Sequence, residues 1–496
     1  MLRAAVTLLF GNLAAKFTGI LREVIFAALF GVSELAAAYR VAYSGFYIPI
    51  HALVGETLST NVIPVFRNLS AESPNAARAF SLVLVAHCVA VGALIAFFLL
   101  VGRAWIVDLI APGLGGSVKD LAGTMLVMMA LASPMYILGN ALASLEATRG
   151  RYSGVSLRPF LLNAIAIAAA VVAWKTNTPL FLAWGIFGGH AVFLLWTLYS
   201  TRQLGLLSFR TCDLETGLLL TGCKALWRNS APLLLFPVVG QLAILVERIV
   251  ASKVGPSVLP STDYARAIAE TFVTLTAVPL SFASLASHGG SRTEQGRSNA
   301  IKASGLLLVL AFPAGLFLAL NAAEIVHLVF ARGEFGRGAV ETTAQILFGM
   351  ALGLGPWAAG YYLLRVLNSE LRNGAATSIT IAGSASMVLF DVTMWPYFGA
   401  ATIGLGASLS GLTIFVGAMS ALKLWLTHLR LVVVLLLMGA VFSLMSRMLP
   451  AADPMEAILL RLPLLGLFMS AILFDASARS ALAPLTKQIP FGWSRK

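Results

Sequence analysis

Ionisable side chains interrupt the most apolar stretches of this sequence, and they are its best clue to chemistry. Lys16, Arg22 and Glu23 lie in the first stretch, Arg40 and Glu56 in the second, and Glu247 with Arg248 and Arg266 with Glu270 in two later ones. Arg365 and Asp391 stand alone further on. Unpaired at the centre of a bilayer, each costs at least about 2.5–3.5 kcal/mol, so such residues normally face a bundle interior or a wet cavity and handle an ion or a charged ligand. In "KFTGILREV", Lys16 and Glu23 are seven residues apart and share a helix face, while Thr18 and Arg22 are four apart and adjacent. Arg266 and Glu270 have the same four-residue spacing. Lysines and arginines within apolar walls suit an anion, a phosphate-bearing one above all, because guanidinium forks match phosphate oxygens. The competing reading of any single residue is structural ion pairing between helices, or snorkelling to the interface.

Other chemistries find little support. No Walker A motif is present, so the chain does not hydrolyse ATP. His51, His87 and His190 are isolated in or near apolar runs, where a satisfied core histidine is commoner than a catalytic base. The acids Glu324, Glu334 and Glu341 beside "ARGEF" are the only loop group resembling an enzyme's. Cys88, Cys212 and Cys223 form neither a disulfide framework nor a metal-spaced cluster. The reading is a non-enzyme with no metal and no cofactor. A net charge of +13 comes from cations spread over many short loops, which excludes a nucleic-acid face.

The elements that position these charges are transmembrane helices. Of 496 residues, 59% are hydrophobic and 11% charged, with mean hydropathy +0.88, far from the roughly one-quarter charged residues of soluble domains. Runs near 20 residues, the length that spans a bilayer as helix, recur at about 5–30, 37–64, 80–102, 121–145, 155–174, 179–200, 228–252, 264–287, 301–320, 340–366, 376–396, 400–422, 429–448 and 456–475. The expected fold is an all-α polytopic bundle of about fourteen helices in two pseudo-symmetric lobes around a central cationic cavity. The first run lacks a cleavage site and reads as a retained helix. With a cytoplasmic N-terminus, about twenty Lys and Arg fall in inner loops and ends against about seven outside, so both termini are expected in the cytoplasm. The lobes are expected at 1–202 and 228–425, joined by a cytoplasmic linker at 203–227, with two additional helices and a tail at 426–496. An interfacial amphipathic helix is the alternative for 203–227. "FPVVGQ", "LTAVPLS" and "AFPAG" are candidate bending points.

The run "GNLAAKFTGILREVIFAALFG" followed by "IPIHALVGETLSTNVIPVF" resembles the opening helices of the MurJ/MviN family, flippases of the multidrug/oligosaccharidyl-lipid/polysaccharide exporter superfamily. The likeness continues in "LIAPGLGG", "LEATRGRYSGVSLRPFLLN", "YARAIAETFVTLTAVPLSFASLAS" and "IVHLVFARGEF". It implies fourteen helices in two lobes and transfer of an undecaprenyl-diphosphate glycan, lipid II, from cytoplasm to periplasm by alternating access in a bacterial inner membrane. The family's first-helix arginines fall on Lys16 and Arg22, and its eighth-helix arginine on Arg266. The second helix departs from the family pattern Pro-Asn-x-x-Arg-Arg-x-x-x-Glu-Gly. Ile50 and His51 replace the two arginines, Gly55 takes the glutamate position with Glu56 one step along, and Ala37 and Ala265 replace acids. Arg40 and His51 partly replace the lost cations.

The expected cargo is therefore a polyprenyl-diphosphate-linked saccharide, either lipid II or another envelope or exopolysaccharide precursor. Lys16, Arg22, Arg266, Arg40, His51 and Glu56 are its candidate binding residues. Membrane potential or a coupled cation supplies the drive, with Glu247 and Asp391 as candidate coupling acids. The chain is expected to act as a monomer among membrane lipids. A cation-coupled drug or metabolite exporter of the same superfamily is the alternative.

Overall fold

The computed structural model describes residues 2–207, 216–230, 235–287, 294–449 and 453–472. They form twenty helices and, among the described residues, no strand. In chain order these begin with α1 (Leu2–Phe30), α2 (Glu34–Leu53), α3 (Gly55–Glu72), α4 (Pro74–Val101), α5 (Arg103–Ile110), α6 (Gly116–Ala130), α7 (Ser133–Thr148), α8 (Ser153–Thr176), α9 (Phe181–Gln203) and α10 (Thr216–Ser230). There follow α11 (Leu235–Val254), α12 (Val258–Ser287), α13 (Glu294–Leu320), α14 (Ala322–Phe330), α15 (Arg337–Leu352), α16 (Leu354–Ser369), α17 (Asn373–Phe398), α18 (Ala401–Leu422), α19 (Trp425–Arg447) and α20 (Pro454–Ile472). Eight of the described helices are individually long and apolar enough to cross a bilayer, and the pairs α6/α7 and α15/α16 reach that length together across bends of 43° and 49°. Among the described residues, the expected spans fall on helices or broken helices, the run 228–252 on the end of α10 and on α11.

Three spans expected to be continuous are broken. The run 37–64 divides at Val54 into α2 and α3, the run 121–145 at Leu131 and Ala132, and the run 340–366 at Gly353. Broken helices leave carbonyls without intrahelical partners, a serious cost in lipid. At Gly353 the neighbour supplies the answer: Ser408 of α18 donates its hydroxyl to the Gly349 carbonyl and, at 3.3 Å, to that of Met350. A side chain at Gly353 would overlap Ser408, so glycine lets the two helices meet there.

Local signals set other boundaries. The Ser33 hydroxyl caps α2 by accepting from the Ala36 N–H at 3.3 Å, and Ser73 caps α4 with Pro74 in the first helical position. Gly31, at φ +57°, ends α1 in the left-handed conformation, and its missing side chain admits the backbone of Glu334, whose N–H donates to the Ala28 carbonyl at 2.9 Å.

Within the stretch expected as a linker, residues 208–215, with Cys212 and Asp213, lie outside the described residues, while Thr216–Ser230 is helical and Gly222 of α10 packs against Phe80 of α4. An amphipathic helix need not be apolar overall, so low hydropathy does not mark it.

The chain divides into two compact units, Met1–Pro260 with Arg332–Phe335, and Ser261–Ala331 with Gly336–Lys496. In the first, α8 packs along α1, α6 along α2 and α7 along α4. Helix α11 belongs to this unit and lies against α2 and α5, with the Gly113 N–H 3.4 Å from the Ser252 hydroxyl. In the second, α18 packs against α15, α16 and α17. Helices α19 and α20 pack on each other through Phe442 and Phe468, stacked at 5.4 Å. Arg461 fastens α20 to α14 through Asn321 Oδ1 at 2.9 Å and Glu324 at 3.1 Å.

The two halves repeat a device. A short helix, a glycine-bearing turn and a bent helix pair follow in order as α5, "APGLGG", α6/α7 and again as α14, "ARGEFG", α15/α16. The short helices share the sequence Ile-Val-x-Leu, at Ile106–Leu109 and Ile325–Leu328. In both, the valine is buried. This is the internal repetition characteristic of transporter folds.

Candidate functional site

Within the first unit, the charges of α1 and α2 meet at one carboxylate. Glu23 is buried and accepts from Arg22 Nε at 3.1 Å and from Arg40 of α2, with which it forms an ion pair. Arg40 lies over the Phe26 ring at 4.9 Å and near that of Tyr39 at 5.8 Å, so cation–π attraction adds to the pairing. On α8, Asn163 accepts from Arg22 Nη1 at 3.0 Å, and its Nδ2 donates to the Ala15 carbonyl at 3.3 Å. Gly11 permits this close packing of α1 on α8, since a side chain there would overlap Ser156.

Exposure separates the two arginines. The Arg40 side chain is 5% exposed, whereas that of Arg22 is 28% exposed. Two guanidiniums against one carboxylate leave the cluster one net positive charge, and the part open to a ligand belongs to Arg22. Lys16, half-buried, stands six residues back on α1, about 9 Å along the axis. Sequence spacing placed Glu23 on the face of Lys16; the structure joins it to Arg22 and to a second helix.

His51 lies at the other end of α2, half-buried, with its Nε2 3.0 Å from the Tyr136 hydroxyl of α7. The Tyr47 hydroxyl pairs likewise with His190 Nε2 of α9 at 3.1 Å. Arg158 is in α8 with its guanidinium 5.8 Å from the Tyr136 ring centre. Sequence reasoning missed Asn163, Arg158 and these histidine–tyrosine pairs. The fourfold spacing of Tyr39, Tyr43, Tyr47 and His51 was the available signal.

The remaining candidates are dispersed. The Glu56 side chain lies outside the described residues. Glu247 is 1% exposed on α11, next to Arg248, whose Nη1 donates to the Leu259 carbonyl at 3.3 Å. In the second unit, Arg266 is half-buried on α12, one residue after the buried Ala265. Asp391 of α17 is fully buried against Gly406 of α18, where any side chain would overlap its carboxylate. Arg365 bonds the Tyr361 hydroxyl one turn back along α16.

A buried acid holding one guanidinium in place while a neighbouring guanidinium stays partly open can bind phosphate oxygens without leaving a bare charge in lipid. A sequence model of the family described as "Lipid II flippase MurJ" matches residues 26–460. The "Lipid II flippase MurJ" of Burkholderia cenocepacia is 27% identical over 444 residues, covering 84% of this chain and 83% of its own. A "Probable lipid II flippase MurJ" of Thermotoga maritima is 23% identical over 411 residues, 82% of each chain. In fold, the chain is similar to "Lipid II flippase MurJ, inward closed conformation", with TM-score 0.81 at 16% identity over 95% of this chain and 98% of that one. An inward-facing multidrug resistance MATE family transporter gives 0.66 at 15% identity, over 82% of this chain and 95% of that one. Its match spanning residues 26–460, the chain belongs to the lipid II flippase MurJ family.

Proposed function

We propose that this chain is a flippase that moves a polyprenyl-diphosphate-linked saccharide, lipid II or a related envelope precursor, from the cytoplasmic to the periplasmic leaflet by alternating access. The family match over residues 26–460 carries the reading, and the partly open Arg22 within an apolar helix supports it. Arg22 and Lys16 counter roughly two negative charges of the diphosphate, with Arg266 as a further cation. Arg40 acts through Glu23, which keeps the Arg22 guanidinium in place by two of its nitrogens. The polyprenyl tail stays in lipid, so only the head group crosses.

A ligand bound equally by both states shifts nothing, so net transport needs a drive. Membrane potential or a coupled cation supplies it, with the buried Glu247 and Asp391 as the coupling acids. The chain works as a monomer with both termini in the cytoplasm.

The test is complementation of a conditional lipid II flippase deletion by the wild type and by Lys16→Ala, Arg22→Ala and Arg266→Ala at matched abundance. Rescue by the wild type and its loss in the variants is expected for lipid II as cargo. An inserted, abundant wild type that fails to rescue removes lipid II and moves the cargo to another lipid-linked glycan. Variants that rescue as well as the wild type would overturn the cationic site.

A further inference from the structure

The first unit carries an aromatic ladder that diphosphate binding does not use. Tyr39, Tyr43, Tyr47 and His51 recur every fourth residue on α2, with successive ring centres 5.9, 4.2 and 5.4 Å apart. Tyr39 is buried, but Tyr43, Tyr47 and His51 each leave part of their surface open. From Tyr43 to His51 the ladder runs about 12 Å along the helix, longer than a single pyranose ring.

The rings are held from behind. Tyr47 is fixed by its hydroxyl to His190, which is 1% exposed, and His51 by Nε2 to the buried Tyr136. Phe46 sets edge-on against Tyr47 at 4.9 Å and against Tyr136 at 6.4 Å. A surface fixed in this way loses little freedom when a ligand settles on it. One end of the ladder adjoins the charged cluster: Arg40 precedes Tyr43 by one helical turn, and its guanidinium lies 5.8 Å from the Tyr39 ring centre.

Two chemistries fit an aromatic strip, an aliphatic chain or a sugar. The strip is edged by polar groups, the His51 imidazole, two tyrosine hydroxyls and the Arg158 guanidinium over Tyr136. An aliphatic chain would cover them without replacing their water, at the cost of a desolvated polar group. A pyranose answers both demands, since its C–H face meets the negative face of an aromatic ring and its hydroxyls bond the polar edge.

We propose that Tyr43, Tyr47 and His51 form a stacking platform for the saccharide of the cargo, continuous with the diphosphate held at Arg22. This rests on the flippase reading and extends it: the site recognises hexopyranose rings by their faces, and bare carrier lipid lacks that contribution.

Binding to the purified full-length chain in nanodiscs tests it, with undecaprenyl diphosphate and lipid II as the two probes. The wild type is expected to bind lipid II about tenfold more tightly than the bare carrier, and Tyr43→Leu and Tyr47→Leu to erase most of that preference while leaving bare-carrier affinity unchanged. Tyr47→Phe, which keeps the ring and loses the His190 bond, is expected to retain most of it. Unchanged bare-carrier binding also certifies that each variant is folded. Equal binding of both probes by the wild type, or equal loss of both in the leucine variants, would overturn the platform. A wild type that binds neither probe would overturn the flippase reading, and the platform with it.

Discussion

Replacing Glu23 by glutamine should destabilise the protein far more than a single-atom change suggests. The carboxylate side chain is 5% exposed and pairs with Arg40, also 5% exposed, and with Arg22, 28% exposed. At an effective dielectric near 20, a unit charge pair about 4 Å apart is worth about 4 kcal/mol, and stranding one member of a buried pair costs about 3–5 kcal/mol. Arg40 bears most of this, because solvent screens Arg22 in part. The expected loss of about 3–5 kcal/mol amounts to two orders of magnitude or more in the folding equilibrium constant. Thermal unfolding of the purified chain, followed by tryptophan fluorescence in one detergent, reads the ranking. Adding Arg40→Met removes the stranded cation and should restore most of the stability, as buried ion pairs can often be exchanged for apolar groups at little cost. Glu23→Gln within about 0.5 kcal/mol of the wild type, or a double variant as damaged as the two singles combined, would refute Glu23 as the counter-charge of this cluster.

Three further outcomes follow from the same geometry. Asn163→Ala should leave insertion intact and weaken diphosphate binding several-fold, about 1 kcal/mol for one hydrogen bond to the Arg22 guanidinium at 3.0 Å, read by titration with undecaprenyl diphosphate. Gly406→Ala should lower the unfolding temperature by an amount corresponding to about 1–3 kcal/mol, because the added methyl overlaps the Asp391 carboxylate; an unchanged midpoint would argue against that packing. Glu324→Ala should loosen α20 by about 1 kcal/mol and Arg461→Ala by more, because it also loses the Asn321 bond, seen as faster proteolysis near residues 453–472, and the double variant should be no worse than Arg461→Ala alone.

The spans were legible because hydropathy over about twenty residues reports the one demand that lipid makes on every helix. Breaks within spans were not, since Val54 and Leu131 look apolar in either state and only the neighbouring helix decides whether a bend is tolerated. Helix α10 was offered only as an alternative to a linker, because it lies below the hydropathy that marks a span. At the site, the sequence identified Arg22 and Glu23 as ions out of place and set Glu23 on the face of Lys16, but did not reach its partner on α2. Neighbours along a helix do not ordinarily face each other, and the partner on α2 is 17 residues away. Arg158 stands in the second turn of α8, where a charge reads as the flank of a span, and only the fold brings it over Tyr136.

The short helix, glycine turn and bent pair occur twice along the chain. The two copies differ at matching positions. Where α5 has Asp108, paired with Lys119 at 2.8 Å inside its own copy, α14 has His327, and its acid is Glu324, paired with Arg461 on a helix that the first copy lacks. The C-terminal helix α20 is thus tied to the second copy by an ion pair, so a change at Glu324 or Arg461 in one element is felt in the other.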